Sequence, residues 1–182
     1  MVIEKLRKLQ DRLRTGSYNM RKLIEAELGI LIKQPLTDIG RAGNLLWLSF
    51  GKKIFVVDKN GCKKTQSEYA LNIQCAWRIV KDCRIIVGSR DFYIPRTGLQ
   101  NDSFEWDTQG VNRFDEKIDE LNFHQRYGIV DKISADEFGG IKITFNSSIV
   151  LEVFPDDSLE DEFWRFIVSG KASRHFVVFD RG

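Results

Sequence analysis

Histidine, cysteine and proline are scarce in this sequence, and each scarcity narrows what the chain can be. Of its 182 residues only two are His, three are Cys and three are Pro. Cys62, Cys75 and Cys83 are odd in number and form no CxxC pair, so neither a disulfide framework nor a zinc site is signalled. His124 and His175 stand apart from any nucleophile or orienting carboxylate at a telling spacing. Missing as well are the hydrolase elbow, the metalloprotease HExxH, the P-loop, the dinucleotide-binding glycines, and the Asp with Glu-x-Lys of carboxylate nucleases. The acids Asp156, Asp157, Glu160, Asp161 and Glu162 lack the spacing and central Gly of an EF-hand. No catalytic residue, metal or other cofactor is therefore expected.

Long apolar runs are absent too. No stretch approaches the ~20 residues of a membrane span. The opening MVIEKLRKLQ has no apolar run of signal-peptide length, so the expected compartment is the cytoplasm. The charges nearly cancel, 28 Lys and Arg against 26 Asp and Glu, which argues against bulk capture of nucleic acid.

What is present suits a dense core. The sequence is 42% hydrophobic and carries thirteen Phe and four Trp. Its clearest signal is the alternation from Tyr69 to Ile79. Tyr69, Leu71, Ile73, Cys75, Trp77 and Ile79 fall on one face, and Ala70, Asn72, Gln74, Ala76 and Arg78 on the other, as in a strand with one dry side. Strands are also expected at Arg84 to Gly88 and Arg90 to Ile94.

Before that centre, residues 2–14 read as a basic amphipathic helix with a Leu6, Leu9 and Leu13 stripe. Ser17 is the expected cap of a second helix over 18–28, with Met20, Leu23, Ile24 and Leu28 inward and Gly29 as its stop. A strand over Ile30 to Gln34 follows, then a turn-rich link over 39–44, then a hairpin of 45–50 and 53–58 bent at Gly51. Asn60-Gly61 predicts a type I′ turn. Beyond the centre, 95–107 reads as a loop, and loops of that length are more often functional than short ones. Val111, Phe114, Ile118 and Leu121 predict a helix over 109–123 with an acidic outer face. Strands are expected over 127–133, 141–146, 149–154 and 175–179. Ser158 and Asp161 have capping-box spacing before a last helix over 159–168, with Phe163, Trp164 and Ile167 buried.

The fold expected from this order is α+β: residues 1–28 as an N-terminal helical arm, and 29–182 as one domain. That domain would be an antiparallel, meander-rich sheet of about eight to ten strands, curved or partly barrel-like, under two covering helices. The candidate binding residues are the polar and aromatic ones around the central strands: Asn72, Gln74, Arg78, Arg90, Asp91, Trp106, Trp164 and Arg165. Trp and Arg are the types that dominate interface hot spots. The competing reading is structural, with Arg78 and Asp91 as an ion pair and the Trp residues in the core. The polar face of the central strand has no aromatic, so a stacking platform for nucleic acid is lacking.

Several strings together, GRAGNLLWLSFG at 40–51, YALNIQCAWRI at 69–79, VGSRDFYIP at 87–95, LEVFPDDSLEDEFWRF at 151–166 and HFVV at 175–178, resemble a group of small uncharacterised bacterial proteins. The resemblance covers about residues 30 to 180 and implies no activity or site residue. Small α+β bacterial proteins of this look include toxin-neutralising immunity proteins, an analogy of fold and size.

Three functions follow as expectations. The first is a non-catalytic protein-binding domain, immunity-type inhibitors included, whose acidic segments 102–120 and 152–162 engage a basic partner protein. The second is a sensor of a small polar ligand, or an enzyme, using Arg78, Asp91 and His175. The third is a scaffold that forms a homodimer through the N-terminal leucine stripe.

Overall fold

The computed structural model describes residues 19–57, 61–100, 104–121, 128–146, 148–170 and 173–179. The helix expected over 2–14, His124 and most of the turn before Gly61 lie outside these residues.

Helix α1 (Met20–Leu28) starts where the Asn19 side chain accepts a hydrogen bond from the Lys22 amide at 2.9 Å, two residues later than the Ser17 cap expected. It buries Leu23, Ile24 and Leu28 in the core, so it is part of the packed fold. The α-helix ends at Leu28 with Gly29 as its C-cap, the stop expected, and the chain continues as a 3-10 turn (Gly29–Leu31), which replaces the strand expected over 30–34. Only Leu31 of that stretch is buried; Ile30 and Ile32 face solvent.

Ten strands follow among the described residues: β1 (Leu36–Ala42), β2 (Leu45–Val57), β3 (Lys63–Ile73), β4 (Ala76–Lys81), β5 (Arg84–Gly88), β6 (Val130–Ala135), β7 (Ile141–Phe145), β8 (Val150–Phe154), β9 (Glu162–Val168) and β10 (Arg174–Phe179). Helix α2 (Arg113–Leu121) lies between β5 and β6. The strands form two open five-stranded antiparallel sheets, β1-β2-β3-β9-β10 and β5-β4-β8-β7-β6. The class is α+β and the pairing antiparallel, as the short turns predict, but the described strands close no barrel.

The long alternation of 69–79 is two strands, not one. At Gln74 and Cys75 the chain leaves the first sheet for the second, and both amides donate to the Phe163 carbonyl, at 2.8 and 3.2 Å. The inward residues keep their period across this corner because both sheets point their apolar faces into the same core. Leu71 and Ile73 reach it from one sheet, Trp77 and Ile79 from the other.

Three further corrections have local causes. Residues 45–57 are one strand with a bulge, not a hairpin: Phe50 pairs with Tyr69 and Lys53 with Ser67, so β2 spends an extra residue there. Gly51 takes that position at φ 76°, and its amide donates to the Pro35 carbonyl at 2.9 Å. Ser89–Tyr93 is a 3-10 turn rather than a strand, held by the Asp91 carboxylate, which accepts from the Gly88 amide at 2.9 Å. The helix expected over 159–168 is strand β9. Trp164 pairs with Val178 and Glu162 with Phe179, which leaves Phe163 as the extra residue of a bulge. Two adjacent apolar residues thus turn inward, and this mimicked helical spacing. The aromatic and β-branched run Phe163 to Val168 favours a strand.

A cluster of Trp77, Phe92 and Phe114 fixes the 3-10 turn and α2 to the second sheet. The rings meet edge to face at centroid distances of 5.5, 5.7 and 4.9 Å. At another point Trp164 donates its indole N–H to the Gly139 carbonyl at 2.7 Å, tying β9 of one sheet to the β6–β7 turn of the other.

Phe92 is the only core side chain of the turn that carries it. Phe92→Ala should cost about 3–5 kcal/mol, read as a shift in urea midpoint at unchanged slope. A loss below about 1 kcal/mol would mean that the turn does not pack on Trp77 in solution.

Candidate functional site

The structure distributes the candidate residues over several places. The corner at Gln74 separates Asn72 from Arg78, since β3 and β4 belong to different sheets. Gln74 itself is exposed on the corner.

Arg78 stands on the outer face of the second sheet. Its Nε donates to Glu152 at 2.7 Å, Lys142 reaches the other oxygen of that carboxylate at 3.0 Å, and the guanidinium lies 5.4 Å from the centre of the exposed Phe154 ring. Arg78, Glu152 and Lys142 sit in one cross-strand row. The polar face of β4 thus opens to solvent as a structural charge ladder. The expected Arg78–Asp91 pair does not form: the partner of Asp91 is Arg113, at 3.5 Å. Arg90 is exposed on the 3-10 turn. Trp106 packs beside Tyr93 at 5.0 Å, and Trp164 is wholly buried as a core residue.

Asn72 and Arg165 do come together. They are paired across β3 and β9 on the outer face of the first sheet, and Asn72 is also paired with Trp47 of β2. Arg165 is held by Glu162 through Nε at 3.0 Å and a second short contact, and meets His175 Nδ1 at 3.2 Å. His175, Arg78 and Asp91 each have a different partner, so the ligand site expected from those three residues is not assembled.

A concavity lies next to this face, and most of its residues are not among those the sequence singles out. Trp47 is paired with Gly40 of edge strand β1. A Cβ on Gly40 would stand 2.5 Å from Trp47 Cζ2, so the indole lies against β1 only because that side chain is missing. Arg41, the next residue, turns the opposite way and is fully buried. It grips Asp115 with two bonds, Nε to Oδ1 at 3.0 Å and Nη2 to Oδ2 at 2.9 Å. Its remaining hydrogens go to the carbonyls of Thr108 at 2.6 Å, Asp107 at 3.3 Å and Gly43 at 3.5 Å. Asp115 also accepts from the Gly110 amide at 2.7 Å. Asn112 caps α2 by accepting from the Asp115 amide at 3.0 Å, and its side-chain amide donates to the Trp106 carbonyl at the same distance.

These bonds set the start of α2 beside β1 and leave a groove of about 460 Å³ between them. Trp47 and Gly40 form one wall; Gln109, Ile118 and Asp119 belong to the other. Arg41 and Asp115 neutralise each other, and among the described residues no ion pair takes up the groove carboxylates of Asp38 and Asp119. An indole flanked by two carboxylates suits an ammonium or guanidinium guest.

Burial, with Asp156 nearby, pushes the Cys75 thiol up to about 12, so it carries no thiolate at neutral pH. Among the described residues no group of three or more His, Cys, Asp or Glu is placed to hold a metal ion. None of the described helices is long and apolar enough to cross a membrane. No known protein family, curated protein or solved structure matches the chain. The resemblance to small bacterial proteins therefore rests on the quoted strings alone.

Two outcomes are expected. Arg41→Met leaves Asp115 partly dry and without its counter-charge and should cost about 3–5 kcal/mol. Arg41→Met with Asp115→Leu should recover much of that loss in the same denaturation assay. The second concerns acid. The Arg78 hydrogen bond holds the Glu152 carboxyl below its ordinary 4.5, burial opposes this, and Lys142 assists. A depressed carboxylate stabilises the fold above pH 4.5 and loses that contribution as pH falls through the lower folded value. The stability difference between the native chain and Glu152→Gln should therefore be greatest near neutrality and shrink on acidification. A difference independent of pH would count against the ladder.

Proposed function

We propose that this chain is a non-catalytic binding domain, of the kind exemplified by immunity-type inhibitors, and that the groove beside Trp47 receives a cationic side chain of a basic partner protein. The observation that carries this reading is the Trp47 indole set closely against Gly40 with Asp38 and Asp119 at the same groove. A Lys or Arg entering there gains an aromatic face and two carboxylates at once.

Three features support a protein partner over a small molecule. The groove is an open trough rather than an enclosed cavity, whereas small-ligand sites bury most of their guest. Its Trp wall continues across the sheet into Asn72 and Arg165, a surface wider than one small ligand needs. The outer side of α2 adds Glu116 beside Asp119, negative charge for steering a basic surface, while Glu120 is paired with Lys117 at 2.6 Å. The distribution of charge argues in the same direction against catalysis, because Arg41, Arg78, Asp91 and Arg165 each have an ion-pair partner within the fold.

A tri-arginine peptide serves as the probe. Added to labelled protein, it should move the Trp47 indole resonance and the amides of 38–41 and 109–119. Trp47→Ala should weaken it by about 1 kcal/mol, roughly fivefold, and Asp119→Asn should also weaken it. Shifts spread evenly over the surface, or unchanged in Trp47→Ala, would reject the groove as the site.

A further inference from the structure

The groove beside Trp47 runs along an open strand edge. Its lining takes Asp38, Ile39, Gly40 and Arg41 in succession. Successive strand residues point to opposite faces, so a hollow that touches four in a row lies at the side of β1 and not over either face. Helix α2 stands across it, with Phe114, Ile118 and Asp119 in the opposite wall. Earlier along the same edge the Leu36 N–H already donates to the Gly128 carbonyl, so β1 accepts a further backbone on this side.

The register shows which backbone groups the edge presents. Ala42 and Leu45 flank a two-residue turn and form the hydrogen-bonded pair that closes it. Bonded and non-bonded pairs then alternate along the ladder. Gly40 bonds to Trp47, whereas Ile39 and Arg41 turn their N–H and C=O groups away from β2 and into the groove. Two contacts agree with this. The Ile39 N–H donates to the Asp38 carboxylate at 3.0 Å, and the Arg41 carbonyl accepts from the Gln109 side-chain amide at 3.4 Å. Side chains thus stand in for a neighbouring strand at two of four places. The other two, the Ile39 carbonyl and the Arg41 N–H, bracket Gly40 and have no hydrogen-bond partner among the described residues.

We propose that an extended segment of the basic partner adds to β1 as a parallel strand, with Lys or Arg opposite Gly40 and an apolar residue on each side of it. An acceptor and a donor that bracket one residue are what a parallel neighbour engages: the residue opposite Gly40 donates its own N–H to the Ile39 carbonyl and accepts the Arg41 N–H. Its side chain falls on the face where Gly40 has none, beside the Trp47 indole and the Asp38 carboxylate. Its two neighbours point inward, to the side of Ile39 and Phe114. The proposal rests on the reading that the groove receives a cationic side chain, and adds to it backbone pairing and a three-residue pattern. A small cation offers no N–H and C=O to pair. A second copy of β1 would bring its own α2 against the same edge, which favours a different chain as the occupant.

The test adds the capped peptide acetyl-Ser-Val-Arg-Val-Ser-amide to the full chain, beside versions methylated on the backbone nitrogen of Arg or of the second Val. Binding is read from the Trp47 indole resonance and from hydrogen exchange of single amides. The parent peptide should move the indole. At about ten times its Kd it should slow exchange of the Arg41 amide about tenfold, and leave Ile39, already bonded to Asp38, unchanged. Methylation at Arg removes the N–H meant for the Ile39 carbonyl and should weaken binding about tenfold. Methylation at Val, whose N–H points away from β1, should not. Indole shifts with unchanged Arg41 exchange and no loss on Arg methylation would overturn strand addition and leave the cation reading standing. So would a tri-arginine peptide that moves the indole where the parent peptide does not. Loss on Val methylation in place of Arg would overturn the parallel arrangement. If neither peptide moves the indole, both readings fall.

Discussion

A guanidinium cannot be buried cheaply, and the end of the fold that bears the groove is shaped by meeting that demand at Arg41. Taking the charge out of water costs several kcal/mol unless a counter-charge and acceptors replace the solvent. Asp115 supplies the charge, and the carbonyls of Thr108 and Asp107 supply further acceptors. To present them, the chain from 107 to 115 must pass close over the end of β1. Asp115 in turn needs the Gly110 amide, and its own amide is taken by the Asn112 cap. The ion pair thereby decides where α2 begins. Phe114, one residue before Asp115, is then delivered to Trp77 and Phe92 on the inner side, and Ile118 and Asp119 to the groove on the outer side. Core and groove are two consequences of one buried charge.

Much of the fold was legible in the sequence where a single period ran uninterrupted. The stripe of Leu23, Ile24 and Leu28, that of Phe114, Ile118 and Leu121, and the alternation of 141–145 all reported their elements, because each packs one face on one core; the alternation of 69–79 reported the buried face but not the break at Gln74. The errors fall where a bulge adds a residue. At Phe163 an inserted position put two aromatic side chains inward in succession, and acids that resemble a helix start completed the illusion. At Gly51 a bulge resembled a turn. Near Ile30 the apolar run reads as a strand, although it forms a 3-10 turn from which Leu31 alone is taken into the core while Ile30 and Ile32 face water.

The candidate site was harder to read than the fold for a different reason. The groove is made by residues some 70 positions apart, as the Arg41–Asp115 contact illustrates. Local pattern holds no trace of that distance. One clue was available: a two-residue turn at Gly43-Asn44 fixes the register of β1 against β2 and sets Gly40 opposite Trp47. Arg78, by contrast, drew notice because it sits on a polar strand face. That face is polar because it meets solvent, and the Arg78–Glu152–Lys142 row is what a sheet does with three long charged side chains in register.

The bond from the Trp164 indole to the Gly139 carbonyl bears on how the molecule breathes. It joins the two sheets at the place where β9 and the β6–β7 turn meet, and a buried donor cannot lose its acceptor without finding water. The sheets therefore cannot part locally at little cost; opening there requires the core around Trp164 to be wetted.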